Sequence, residues 1–151
     1  MRMRRAWEGD LPRMNEIDRL CYPQEKALPG GMFLFHLRHA RILVAEGNAV
    51  VGFIIGYTKG RTGAIKILDI DPGHQRRGIG RRLMGAMEEE LSTMGALRIY
   101  LEAAQENDAA LSLYHQGGYS EGQLLMDFYG RGRDAWRLWK DLNRASGPDA
   151  G

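Results

Sequence analysis

The segment from Leu68 to Tyr114 carries the residue types and spacings on which chemistry can be built. Gln75-Arg76-Arg77-Gly78-Ile79-Gly80 follows a β-rich run and precedes a helical one. Turn glycines placed just before a helix let backbone N–H groups converge, and the first helical turn adds unpaired donors and partial positive charge. Gly78 and Gly80 remove side chains where a ligand would approach, and Arg76, Arg77 and Arg81 supply charge suited to a di- or triphosphate. The stretch lacks the Lys-Ser/Thr end of a P-loop, and it lacks the third glycine and acidic ribose ligand of a dinucleotide fingerprint. On these residues alone, an anion site and a solvated basic turn both stay open. Further on, Glu102 ends a strand-like run, Asn107 stands where a helix cap belongs, and Tyr114 lies on the helix that follows. A strand-end carboxylate is either surface charge or a base, and a helical tyrosine is packing unless its hydroxyl is aimed at a reacting group. Cys21 has no histidine near it in sequence and reads as a buried apolar residue, and His74 reads as an exposed loop residue with no role.

The elements that must position these residues follow from periodicity and turn chemistry. Met1–Ala6 reads as an edge strand, and Asp10 before Leu11-Pro12 reads as the cap of a first helix reaching about Leu20. Tyr22-Pro23 and Pro29-Gly30-Gly31 punctuate a loop, after which Met32-Phe33-Leu34-Phe35 and Leu37 begin a second short helix. Ile42–Ala45 and Val50–Tyr57, separated by Gly47-Asn48, predict a hairpin, and Gly63–Ile70 predicts a third strand ended by Asp71-Pro72-Gly73. Leu83, Met84, Met87 and Leu91 fall at helical spacing until Gly95, and Leu97–Leu101 alternates like a strand. Strand, helix, strand with a right-handed crossover makes the strands at Ile65–Ile70 and Leu97–Leu101 parallel neighbours. A helix capped at Asn107 or Asp108 then runs to Gly117-Gly118, and two more strands are expected around Tyr119–Phe128 and Asp134–Leu142. The sum is an α/β (α+β) fold with a mixed, partly parallel sheet of six or seven strands and helices on both faces.

Composition bounds the function classes. At 151 residues with 44% hydrophobic content, the chain is expected to be one domain over residues 1–144, with a disordered tail over 145–151. A formal charge of +2 argues against nucleic acid or a membrane surface as partner. One cysteine excludes an intramolecular disulfide framework and leaves no ligand set for structural zinc, so no metal is expected. No run approaches the roughly 20 apolar residues of a membrane span, and the expected location is the cytoplasm.

The motif Gln75-x-x-Gly78-x-Gly80, after a strand and at a helix start, resembles the pyrophosphate loop of the GNAT acetyltransferase superfamily. The wider pattern is similar to the branch that acetylates ribosomal-protein alanines and protein N-termini: Leu68-Asp69-Ile70-Asp71-Pro72-Gly73-His74-Gln75, then Leu101-Glu102, Asn107, Leu113-Tyr114 and Gly118-Tyr119. Register and spacing hold from Ile67 to Tyr119, with weaker similarity at Phe128-Tyr129 and back to Cys21-Tyr22-Pro23.

That resemblance implies a GNAT-like sheet with a splayed central strand pair, and acetyl-CoA as cosubstrate in the opening. It implies that backbone groups around Leu68, Asp69 and Ile70 hold the pantetheine and acetyl carbonyl, that Gln75, Arg76, Arg77, Gly78, Ile79, Gly80 and Arg81 hold the pyrophosphate, and that Asn107 and Tyr114 contact the pantetheine arm and sulfur. N–H donors aimed at the carbonyl oxygen stabilise the oxyanion that forms when an amine attacks. A protonated amine needs a base, which the resemblance assigns to Glu102, and the departing thiolate needs an acid, which it assigns to Tyr114. Asp69 departs from the small or apolar residue the pattern favours, and reads as an alternative base, a contact to a cationic substrate, or a partner of an arginine on the other side of the sheet.

Tyr22 and Pro23, with Phe128 and Tyr129, are the expected walls of an acceptor groove, which points to a protein or peptide α-amine attacked directly in a ternary complex. Arg131 and Arg133 there favour an acidic acceptor over a basic one. The competing readings are acetylation of a small amine such as a polyamine, amino sugar or antibiotic, and a non-catalytic acyl-CoA-binding module. Retention of both Glu102 and Tyr114 argues against the last.

Overall fold

The computed structural model describes residues 1–22 and 30–142, with the side chains of 30–34 left aside; Pro23 and the tail at 145–151 lie outside the described residues. Seven strands follow the order β1-β2-β3-β4-β5-β7-β6 in one mixed sheet, at the upper of the two sizes expected. The chain divides into two compact units, Met1–Tyr57 with Ile65–Glu90, and Thr58–Ala64 with the residues from Leu91 onward.

In the first unit, β1 (Arg2–Arg5) pairs antiparallel with β2 (Arg41–Glu46), which pairs antiparallel with β3 (Val50–Lys59). Ile42, Leu43, Val44 and Ala45 are all buried, so β2 is covered on both faces, which its unbroken apolar run required. α1 (Leu11–Cys21) has Pro12 in its first turn and sets Met14 and Ile17 into a core with Ile42, Val44, Val50, Phe53 and Ile55. α2 (Gly30–His39) begins at Gly30, so the Gly30-Gly31 pair opens the helix instead of ending the preceding loop.

Asp10 does not cap α1 with its side chain, because its own backbone is already helical at φ −82° and ψ −15°. Its carboxylate instead accepts from the Trp7 amide at 2.9 Å, closing the 3-10 turn Glu8–Asp10 one step earlier, and takes both terminal nitrogens of Arg4 at 2.9 and 3.0 Å. Arg4 also donates to Glu46 at 2.9 Å, so one guanidinium ties β1 to β2 and to the start of α1.

β4 (Thr62–Ile70) belongs to both units. Its first unit portion runs close to β3: a Cβ added at Gly52 would stand 2.7 Å from Ile70 Cδ1 and 3.1 Å from the Asp69 carbonyl oxygen, so a side chain there would require Ile70 and β4 to give way. α3 (Ile79–Thr93) buries Ile79, Leu83, Met84 and Met87 at the spacing the sequence predicts.

In the second unit, the start of β4 pairs parallel with β5 (Arg98–Ala104) at Thr62↔Arg98, Gly63↔Ile99 and Ala64↔Tyr100, as the crossover argument requires. Past Ala64 this register has no further pair, while β5 continues to Ala104 along β7 (Ala135–Asp141), antiparallel throughout. β5 alternates strictly: Ile99, Leu101 and Ala103 are buried, and Arg98, Tyr100 and Glu102 take the other face. α4 (Asp108–Gln116) is capped by Asn107, whose Oδ1 accepts from the Ala110 amide at 3.1 Å. β6 (Ser120–Leu125) ends three residues before Phe128, where the expected strand was to end. Asp127 takes φ 57°, its amide donates to the Asp134 carboxylate at 2.8 Å, and its own carboxylate accepts from the Gly132 amide at 2.7 Å, so a closed loop replaces the strand end.

Candidate active site

The site residues expected from the sequence divide between the units. Tyr22, Leu68, Asp69, Ile70 and the segment from Gln75 to Arg81 lie in the first, and Glu102, Asn107, Tyr114, Phe128 and Tyr129 lie in the second.

The glycine-rich turn is held from behind. The Asp71 amide donates to the Val51 carbonyl at 2.8 Å, and Asp71 Oδ1 accepts from the Gly73 amide at 2.9 Å. Asp71 Oδ2 accepts from Arg13 at 2.6 Å. The Gly73 amide and then Arg13 hold the Asp71 carboxyl below the usual carboxylate range, so it stays ionised and keeps the short turn Pro72–His74 closed. Arg76 at φ 65° and Gly78 at φ 77° then reverse the chain into α3.

The first α3 bond runs from the Arg82 amide to the Gly78 carbonyl at 3.1 Å, so the amides of Ile79, Gly80 and Arg81 have no acceptor inside the helix. Gln75 to Gly78 are exposed beside them. A pyrophosphate fits this arrangement: first-turn donors, a helix dipole of matching sign, and the cationic side chains of Arg76, Arg77 and Arg81. Space does not select glycine at position 78, since an added Cβ would meet nothing within 4 Å; the positive φ does. Gly78→Val is therefore expected to weaken acetyl-CoA binding by about tenfold, measured by calorimetric titration, while the melting temperature moves by only about 3 °C.

Asp69 lies just before this turn and does not pair with an arginine. It is 2% exposed and hydrogen-bonded to Asp18, itself 5% exposed, and to Tyr22. Its Oδ2 is buried and has no hydrogen-bond partner. Burial, then the bond to Asp18 and that neighbour's charge, push the Asp69 carboxyl up, against the opposing bond from Tyr22. Beside it, Cys21 donates its S–H to the Ile70 carbonyl at 3.1 Å, and burial followed by the charge of Asp69 pushes the thiol up to about 12. Cys21 is thus a protonated, half-buried thiol and no nucleophile at neutral pH.

In the second unit, Glu102 Oε2 accepts from Arg137 Nε at 2.8 Å, across the β5–β7 pair Glu102↔Arg137. The Glu102 side chain is only 8% exposed, so the carboxylate is held in one place and is not a freely solvated strand-end charge. The Arg137 guanidinium also lies 4.5 Å from the Tyr100 ring centre, which fixes its plane. Tyr114 is half-buried on α4 with its ring edge toward Tyr119, at a centroid distance of 6.4 Å. The Asn107 cap uses its oxygen on the Ala110 amide, leaving its carboxamide nitrogen as a donor. Phe128 and Tyr129 are 46% and 41% exposed and meet edge to face at 4.9 Å on the loop that Asp127 and Asp134 close.

Sequence reasoning missed Asp18 and Arg137. Asp18 carried a readable signal, an acidic residue on the apolar stripe of Met14, Ile17 and Cys21. Arg137 carried none, because its meaning depends on which residue of β5 stands opposite it.

A family model described as the acetyltransferase (GNAT) family matches residues 11–119. The chain is 30% identical to an N-alpha-acetyltransferase of Sulfurisphaera tokodaii over 91% of its own length and 90% of that protein's. It is 38% identical to the [ribosomal protein bS18]-alanine N-acetyltransferase of Salmonella typhimurium, in a match that spans 40% of either chain. The crystal structure of the Escherichia coli ribosomal-protein-S18-alanine N-acetyltransferase shares the fold, with a TM-score of 0.84, 21% identity and 97% of both chains covered. A turn suited to a pyrophosphate, inside a sheet of this order and a family match over most of the chain, gives one conclusion: this protein belongs to the GNAT family of acetyl-CoA-dependent acyltransferases.

Proposed function

We propose that this protein transfers the acetyl group of acetyl-CoA to the α-amine of a protein or peptide N-terminus, by direct attack in a ternary complex. The observation that carries the reading is the likeness to an N-alpha-acetyltransferase over nearly the full length of both chains. Residues 1–144 act as one acetyltransferase domain, and the reaction takes place in the cytoplasm, where new N-termini appear.

Acetyl-CoA supplies the thioester carbonyl that the amine attacks. Leu68 and Ile70 orient that carbonyl through backbone groups of β4, and Gln75 to Arg81 hold the pyrophosphate on the first turn of α3. Glu102 accepts a proton from the attacking nitrogen, with Arg137 holding the carboxylate in the orientation that acceptance needs. Tyr114 donates its hydroxyl proton to the departing sulfur, and Asn107 orients the pantetheine arm. Tyr22 serves as one aromatic contact for the acceptor, and Phe128 and Tyr129, together on their loop, serve as another.

Arg131 is exposed and Arg133 is half-exposed, 3.9 Å from Glu106, on the loop that carries Phe128 and Tyr129. Peptides with Asp or Glu in the second and third positions are therefore expected to react about fivefold faster than Lys-containing ones at low salt, the ratio shrinking as salt rises. Mass detection of products from mixed short peptides and small amines tests the whole reading. Acetyl on peptide α-amines supports it; acetyl only on a polyamine, amino sugar or lysine side chain overturns the acceptor assignment.

A further inference from the structure

Asp69 is a buried acid that the chemistry above leaves without a task, and it sits where α1 meets the end of β4. Four polar or charged side chains are buried among the described residues. Asp10 is satisfied by Arg4 and the Trp7 amide, and His36 bonds to Tyr57. The remaining two, Asp18 and Asp69, bond to each other.

The two elements explain the pairing. Ile67 packs against the core that Met14 and Ile17 of α1 enter, and Asp69, two positions further along β4, lies on the same face of the strand. Asp18 stands one helical turn after Met14, on the side of α1 that this face meets. The Cys21 thiol donates to the Ile70 carbonyl at 3.1 Å, again joining the end of α1 to the end of β4. Just past the helix, the Tyr22 amide donates to the Asp18 carbonyl at 3.0 Å and the Tyr22 hydroxyl bonds to Asp69. The Tyr22 side of this cluster reaches solvent, since the residue is 45% exposed.

Burial, then the bond and charge of Asp18, push the Asp69 carboxyl well above the ordinary carboxylate range, so it keeps its proton at neutral pH. Its Oδ2 has no hydrogen-bond partner, which a neutral carboxyl tolerates far better than a charged one. A neutral carboxyl also donates one hydrogen bond while accepting another, so Asp69 serves Asp18 and Tyr22 together.

We propose that Asp69 is a positioning residue: its bond to Asp18 latches the end of α1 onto β4, and its bond to Tyr22 holds that ring in place for an acceptor peptide. This rests on the function proposed above, in which Tyr22 contacts the acceptor. Every member of the latch belongs to the first unit.

The groups around the pair set its pH response. α1 brings Asp18 and the Cys21 thiol, which stays protonated. The turn after β4 brings Asp71, which is occupied by Arg13 and the Gly73 amide, with His74 3.9 Å from it. β3 brings Gly52, which lies against the Asp69 backbone and carries nothing to titrate. The bond from Tyr22 favours an ionised Asp69, but burial and Asp18 outweigh it. A carboxyl that is raised in the latched state returns toward its ordinary value when the latch opens, so loss of its proton favours the open state. The latch is closed at neutral pH and loosens as pH rises into the alkaline range. Asp69→Asn keeps a donor for Asp18 and an acceptor for Tyr22 at every pH, and so keeps it closed.

The test measures kcat and KM for one peptide, and the Kd of acetyl-CoA, in wild type, Asp69→Ala, Asp69→Asn, Tyr22→Phe and the double variant Tyr22→Phe/Asp69→Ala, with thermal melts to check folding. Asp69→Ala is expected to raise peptide KM at least about fivefold, with kcat and acetyl-CoA Kd within about twofold, and Asp69→Asn to restore KM to within about twofold of wild type. Tyr22→Phe raises KM as well, and the double variant matches Asp69→Ala because both changes break one bond. From about pH 7 to about pH 9 the ratio of wild-type KM to Asp69→Asn KM rises at least about threefold; the peptide's own amine titrates alike in both and cancels. Should Asp69→Ala not fold, that ratio decides alone. A flat ratio, a folded Asp69→Ala with unchanged KM, or a double variant whose KM rise is the product of the single rises overturns the positioning role and leaves the function standing. Wild type that binds acetyl-CoA but acetylates no peptide overturns the proposed function and the positioning role with it.

Discussion

Replacing Glu102 with glutamine is expected to lower kcat/KM toward a peptide by roughly 10²–10⁴, almost wholly in kcat, with acetyl-CoA affinity within about twofold of wild type. Glutamine keeps the shape and the hydrogen bond that Arg137 donates to position 102, so β5, β7 and their register stay as they are. What it loses is the ability to accept a proton from nitrogen. The side chain is 8% exposed and fixed at 2.8 Å from Arg137, so its carboxylate is held in one position. Steady-state kinetics with one peptide decide this, and a loss under threefold would remove Glu102 from the chemistry.

The largest stability effect is expected at Arg4. Arg4→Met should cost about 2–3 kcal/mol and lower the melting temperature by about 5–10 °C, because it strips both guanidinium bonds from Asp10, which is 6% exposed. Methionine fills similar volume, so the cost is mainly an unpaired buried carboxylate and not a cavity. The sign of the pH dependence follows. Burial raises the Asp10 carboxyl, but the bonds from Arg4 and the Trp7 amide outweigh that and hold it below its ordinary value. A depressed carboxyl contributes stability above the unfolded value near 4, and that contribution disappears as pH falls through the folded value. Wild type and Arg4→Met are therefore expected to differ most at neutral pH and to converge as pH falls below the ordinary carboxylate range. Thermal melts across that range check it.

Asp69 contributes with the opposite sign. Its raised carboxyl holds a proton that the unfolded chain has released, so its contribution is fully present below about pH 4 and declines as pH rises through about 8. The first unit thus carries one acidic group that stabilises it toward neutral pH and one whose support fades there.

Much of the fold was legible because its signals are local. The unbroken apolar run of β2, the helical stripe of α3, the Asn107 cap and the turn at Asp71-Pro72-Gly73 are each read from a few adjacent residues. The misreadings came where distant partners decide. Asp10 sits in the right place for a helix cap, but Arg4 and Trp7 draw its carboxylate away. β6 ends early because Asp127 and Asp134, seven positions apart, close a loop between them. At the candidate site, the glycine-rich turn was readable from its residue types, whereas the Asp18–Asp69 pair and the Glu102–Arg137 pair join positions 51 and 35 apart in the chain. No spacing rule reaches that far; only the way α1 packs by β4, and the β5–β7 register, brings each pair into contact.

The measurement that bears most directly on the central claim is calorimetric titration of acetyl-CoA into wild type and Gly78→Val, followed by mass detection of acetyl transfer to a short peptide. Saturable binding to wild type, about tenfold weaker in the variant, with acetyl found on the peptide α-amine, is the predicted result. No saturable binding to a folded wild-type protein would contradict the assignment of the turn at Gln75 to Arg81, and with it the mechanism built on that turn.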